Sequence, residues 1–232
     1  MRICVLLLIL LAAPVSAGES IRIAVASNFK PTLEKITDPF LANTGIVITY
    51  SVAATGVLAT QILHGAQYDI YFAADKEMPQ RVVSEKGLPS SDTFCYARGK
   101  LVLAGGAGGL SAIANPQLSM AIANPATAPY GRAAMEVLAR PEFTAGEGRK
   151  LVRGNSVAQA FQFWQSGAVN MALLPKALQP IDATDVPLDW YQPIEQFAVV
   201  LKHSAAVDEY LQWLRSDTVR NMITDAGYAP CS

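Results

Sequence analysis

Short apolar runs alternate along this chain with stretches whose apolar positions recur every three or four residues. Ile21–Ala26 is apolar but for Arg22 and has the pattern of a buried strand. Ser27 and Asn28 follow, and Leu33, Ile36 and Phe40 then mark one face of a helix. Pro31 sits in the first turn of that helix, where its missing N–H costs nothing. Asn43-Thr44-Gly45 predicts its end. Ile46–Val52 reads as a second strand, followed by Ala53–Gly56 and a helix with Leu58, Ile62 and Leu63 on its apolar side. Tyr68–Ala74 is the third strand, closing at Asp75, and a helix with Val82 and Val83 runs on to Gly87.

The second half repeats the alternation. Cys95–Leu103 is extended, and the glycine run Gly105–Gly109 then breaks the pattern and reads as a crossing between lobes. Leu118–Ala123 is a strand, and a helix opens at Pro129-Tyr130-Gly131 with Ala134, Val137 and Leu138 inward. Leu151–Arg153 is a short strand, and Asn155-Ser156-Val157 opens a helix carrying Ala160, Phe161 and Trp164. Met171–Leu174 is a strand that Pro175 ends. Gln192–Lys202 reads as the return crossing. A helix with Val207, Tyr210, Leu211 and Leu214 facing inward comes after it, and Arg220–Ala226 continues or repeats that helix. Phe161, Phe163 and Trp164 are expected in core and surface packing.

Strand–helix alternation predicts an α/β fold with mostly parallel sheets flanked by helices. Two extended crossings between halves predict two lobes. The expected division is 18–100 and 196–232 for the first lobe and 101–195 for the second. In such sheets ligands gather where strands end and helices begin. Each half has two such junctions: at Ser27 and Thr55 in the first, at Tyr130 and Val157 in the second.

Residues 1–17 read as a cleavable secretory leader. Arg2 supplies the positive start, Val5–Leu11 the apolar segment and Val15-Ser16-Ala17 the cleavage site. An exported, periplasmic protein is therefore expected. Cys4 lies inside the leader, so no lipid-anchor signal is evident. Cys95 and Cys231 remain, a candidate disulfide or two separate thiols. The formal net charge is −1, with no basic patch, which argues against nucleic acid.

A helix start exposes free backbone N–H groups and the positive end of a dipole, so four of them in one cleft would hold a compact oxyanion. None of the four turns contains Lys or Arg, Arg132 being one residue inside its helix. Ser, Thr and Asn at helix starts are also ordinary caps, each contributing about 1 kcal/mol. An exported hydrolase built on Ser27, a histidine and Asp75 is a second reading, but no G-x-S-x-G elbow surrounds Ser27. His64 and His203 are expected at the surface or in packing, and Asp75 as a cap. Clustered metal ligands and CxxC spacings are absent, so no cofactor or direct cation site is expected. Pattern alone stops at a periplasmic binder of something small and anionic, with sulfate and phosphate among the candidates.

The segments VASNF, ATGVLATQILHGAQYDIYFAAD, GKLVL, APYGRAAMEVL and NSVAQAF resemble the ModA family, the molybdate-binding components of bacterial ABC transporters. The resemblance spans nearly the whole mature chain. It implies a two-lobed type II periplasmic binding protein that captures molybdate or tungstate, without catalysis, and delivers it to an inner-membrane permease. It implies ligand contacts from Ser27 (hydroxyl and N–H), Asn28 (N–H), Thr55 (hydroxyl), and the N–H groups of Tyr130 and Val157. A monomer is expected. The tyrosine that some members carry in the strand after the second-lobe helix corresponds here to Pro175, so that contact is missing.

Overall fold

The computed structural model describes residues 19–231. The leader read over 1–17, with Cys4, lies outside the described residues.

The first-lobe elements are β1 (Ser20–Ala26), α1 (Lys30–Thr44), β2 (Val47–Ala53), α2 (Thr55–Leu63), β3 (Ile70–Ala73), α3 (Glu77–Lys86) and β4 (Thr93–Gly99). The second lobe has β5 (Leu101–Gly105), β6 (Met120–Ala123), α4 (Pro129–Leu138), β7 (Leu151–Gly154), α5 (Val157–Gln165), β8 (Met171–Pro175) and β9 (Thr184–Asp185). The chain then returns through β10 (Ile194–Val200) to α6 (Ala205–Leu214) and α7 (Asp217–Asp225).

The two sheets have strand orders β2-β1-β3-β10-β4 and β7-β6-β8-β5-β9. In each, only the fourth strand in that order runs against the others: β10 in the first sheet and β5 in the second. The cause is the connection. Each reversed strand arrives from the other lobe, enters at the edge where the parallel strands end, and must run away from the cleft.

Alternation along β1 puts Ile21, Ile23 and Val25 in one core with α1, α6 and α7, and Ala24 in another with α2 and α3. Both faces of the first sheet are thus covered. The core of the second lobe crosses the cleft: Ala26, Ala54 and Ala74 pack in the same cluster as Ala128, Tyr130 and Val157.

The glycine run is not the crossing. The chain passes between lobes at Lys100, the single residue between β4 and β5. Gly105, Gly106, Gly108 and Gly109 all have positive φ and turn the chain at the far end of β5, inside the second lobe. A crossing needs only extended chain, whereas a tight reversal needs the left-handed conformations that glycine tolerates.

Cys95 and Cys231 are disulfide-bonded, with 6.2 Å between Cα atoms and a separation of 136 positions in sequence. Just before the bridge, the Ala229 and Arg98 backbones exchange two hydrogen bonds of 2.8 Å. The tail is thereby pinned beside β4, which carries buried Tyr228 into the first-lobe core.

Candidate functional site

Each junction delivers a residue to one narrow cavity of about 10 Å³ between the lobes. Ser27 and Asn28 come from the turn after β1, and Thr55 opens α2. Tyr130 lies in the first turn of α4, and Val157 opens α5. Among the described residues, no lysine, arginine or carboxylate lines this cavity; its walls are otherwise alanine and Pro129.

Side-chain capping accounts for only one junction. Ser156 Oγ accepts from Gln159 N–H at 3.3 Å and caps α5. The starts of α1, α2 and α4 have no side-chain cap bond. In particular α1 begins at Lys30 with Phe29 at its cap position, so Ser27 and Asn28 stand outside the helix and do not cap it as their residue types suggest.

The donors can be followed one by one. Among the described residues, the backbone N–H groups of Asn28, Thr55, Tyr130 and Val157 have no hydrogen-bond partner. Ser27 differs from expectation: its N–H donates to Ala53 O at 3.0 Å, closing the turn against β2, so only its hydroxyl is available. Thr55 Oγ1 accepts from Ala74 N–H at 2.9 Å, which anchors the oxygen and leaves its own proton free to donate. Thr55 is fixed again through its carbonyl, which accepts from Tyr71 Oη at 2.8 Å.

Local packing explains how the second-lobe donors reach the cleft. A Cβ at Gly131 would lie 2.3 Å from Ala123 O, so the α4 start sits directly on the end of β6 and holds the Tyr130 peptide there. Gly56 N–H donates to Thr127 O at 3.0 Å across the cleft, tying the α2 start to the α4 approach.

Asp75 stands just outside the cavity. Its Oδ1 accepts from Met78 N–H at 3.0 Å, a capping role at the start of α3. Its Oδ2 lies 2.8 Å from Arg132 Nη2 in the other lobe. Burial pushes the Asp75 carboxyl above its usual range, against the opposing pull of the Met78 N–H and Arg132. Neither histidine joins Ser27: His64 Nδ1 is 2.8 Å from Thr60 O, and His203 lies between Asp208 and Asp92. No group of three or more metal-ligating side chains occurs among the described residues.

This geometry suits a small anion held by neutral hydrogens. The family described as bacterial extracellular solute-binding protein matches residues 21–229. Molybdate-binding protein ModA of Azotobacter vinelandii is 34% identical over 94% of this chain and 93% of its own length. The ModA of Rhodobacter capsulatus is 36% identical, over 94% of this chain and 91% of its own. The chain belongs to the ModA family of bacterial extracellular solute-binding proteins. The solved Azotobacter vinelandii periplasmic molybdate-binding protein superposes with a TM-score of 0.81 at 32% identity, covering 91% of this chain and all (100%) of that one. The sulfate-binding protein SubI of Mycobacterium tuberculosis, at 13% identity and a TM-score of 0.76 over 92% of this chain and 88% of its own, shares the fold.

Two residues of this ModA-family cleft escaped the sequence reading. Gln196 is fully buried on β10, where its amide meets Asn28 and Tyr130. Tyr228 Oη donates to Asn28 O at 2.9 Å. Alternation could have flagged the first, since Ile194, Gln196 and Ala198 share one buried face. No local pattern announces that the C-terminal tail returns to the first turn.

Proposed function

We propose that this chain is a non-enzymatic carrier that captures molybdate or tungstate in the periplasm and hands it to an ABC permease. Ser27, Asn28, Thr55, Tyr130 and Val157 are the ligand residues, and the ion binds as a bare dianion with no further cofactor. The first lobe, 18–100 with 196–232, receives the ion, and the second, 101–195, closes over it. The protein works as a monomer once the leader at 1–17 is removed.

One observation carries this reading. Unpartnered N–H and hydroxyl donors from both lobes line a single cavity without any cationic side chain. Each bond to a charged acceptor contributes about 1.5–3 kcal/mol, enough in sum to hold a dianion after ordering costs. A cavity without a carboxylate offers no acceptor for the proton of hydrogen phosphate, which disfavours that ion. Sulfate and molybdate carry the same charge and shape, so size separates them.

Thermal-shift curves with molybdate, tungstate, sulfate, phosphate and thiosulfate test the proposal. Stabilisation follows RT ln(1+[L]/Kd), about 4 kcal/mol at a thousandfold excess over Kd. Large shifts with molybdate and tungstate are expected. A large sulfate shift without either would refute the assignment.

A further inference from the structure

The side-chain amide of Gln196 touches both lobes. Gln196 lies on β10, the returning strand, beside the register shift between Gln196 and Phe197. Its Oε1 accepts from Asn28 Nδ2 at 2.9 Å and lies 2.9 Å from Tyr96 Oη. Its Nε2 donates to Tyr130 Oη at 3.0 Å. One amide therefore links the turn after β1 to the first turn of α4, two of the segments that line the cavity. The Asn28 Nδ2 donor facing Oε1 fixes which way round the amide sits, and that leaves Nε2 for Tyr130.

The other crossing strand meets the same point. Gly99 ends β4, and a Cβ there would lie 2.1 Å from Tyr130 Oη and 2.8 Å from Gln196 Nε2. Only glycine leaves room for the phenol between the two crossings. Asn28 is held a second time, with Nδ2 3.2 Å from Tyr228 Oη. Its side-chain N–H donors are taken up by these contacts, and its backbone N–H remains to donate to a ligand.

We propose that Gln196 is a positioning residue that couples the two half-sites. It sets the Asn28 turn and, through the Tyr130 hydroxyl, joins that setting to closure of the lobes. The inference rests on the carrier reading for its ligand but not for its geometry. Tyr130 then acts twice, its N–H toward the anion and its hydroxyl toward the hinge. With the lobes apart, both the hydroxyl and the Gln196 Nε2 can return to water. Losing their bond therefore weakens the closed form and raises the dissociation rate, with little effect on encounter.

The test uses Tyr130→Phe, Gln196→Met and the double variant in the full mature chain, with the native disulfide intact. Molybdate association and dissociation are followed by stopped flow. Spin labels on cysteines introduced at exposed Gln61 and Gln162 report the distance between lobes with and without molybdate. Tyr130→Phe is expected to raise the dissociation rate about threefold to tenfold, as loss of one buried hydrogen bond implies, and Gln196→Met by more, because it also strips Asn28 and Tyr96 of an acceptor. The association rate should stay within about twofold, and the double variant should be no worse than the more impaired single one. The ligand-free label distances should shift to longer values in both variants. Unchanged label distances, or multiplying effects in the double variant, would overturn the coupling. If the unsubstituted chain ignores molybdate and the label distances still shift, the ligand assignment fails while the coupling stands. Should Gln196→Met not fold, Tyr130→Phe decides alone, since it removes one hydroxyl.

Discussion

Arg132 Nη2 lies 2.8 Å from Asp75 Oδ2, and the two residues belong to different lobes. The arginine comes from α4 and the carboxylate from the end of β3, so the pair spans the mouth of the cleft. Arg132 is 40% exposed and Asp75 only 11%, so solvent screens the pair partly. Its contribution to the closed form is about 0.5–1 kcal/mol. Arg132→Ala should raise the anion dissociation rate about two- to fivefold, and the difference should shrink in high salt. Stopped-flow measurements at two salt concentrations check this.

Thr55 has two partners within the first lobe and one proton to spare. Thr55→Val removes the hydroxyl donor and also strips Ala74 N–H of its acceptor. Affinity for molybdate should fall at least tenfold, with a stability loss of about 1–3 kcal/mol. Thr55→Ser keeps the oxygen and should stay within a few-fold of the starting affinity. Calorimetric titration of both variants separates the hydroxyl from the methyl group.

Gly131 tolerates no side chain. A Cβ 2.3 Å from Ala123 O forces the α4 start away from β6. Gly131→Ala should cost about 1–3 kcal/mol of stability and weaken anion binding together with it, because the Tyr130 N–H moves too. Chemical denaturation and titration of the same preparation should show both losses.

The disulfide closes a long loop, its cysteines 136 positions apart in sequence. In the chain-entropy account, bridges of this span stabilise by about 4–5 kcal/mol, though measured losses run about 2–5. Cys95→Ser/Cys231→Ser should lose stability in that range. Binding should weaken as well, since the tail that carries Tyr228 to the Asn28 carbonyl is no longer pinned. Denaturation midpoints with and without molybdate check both effects.

His203 sits between Asp208 and Asp92, and hydrogen bonds to them raise its pKa above 6.5. Because the folded value is the higher one, the stabilisation is full below about pH 6.5 and is lost as pH rises through the raised value. His203 is 54% exposed, so the effect amounts to a few tenths of a kcal/mol. His203→Gln should flatten the dependence of Tm on pH above pH 6.5 and leave binding untouched.

The alternation of apolar runs and helical faces determined the α/β class, the order of elements and the four junctions, because burial periodicity is a local property of the chain. The strand ends moved by a residue or two, and the glycine run changed its role from a crossing to a turn. The strand-to-helix junctions at Ser27, Thr55, Tyr130 and Val157 marked candidate donors, hydroxyls at the first two and backbone N–H groups at the others, and a resemblance to ModA proteins assigned them to one ligand. Sequence could not show whether those donors were already occupied. Only the tertiary structure committed the Ser27 N–H to Ala53 O, freed the Asn28 N–H and anchored Thr55 on Ala74. It alone brought Gln196, Tyr228 and the Arg132–Asp75 pair to the cleft, from positions 57 to 200 residues away in the chain. Local pattern fixes which groups point inward. Which partners they meet depends on how distant strands and lobes pack, and no window of neighbouring residues contains that.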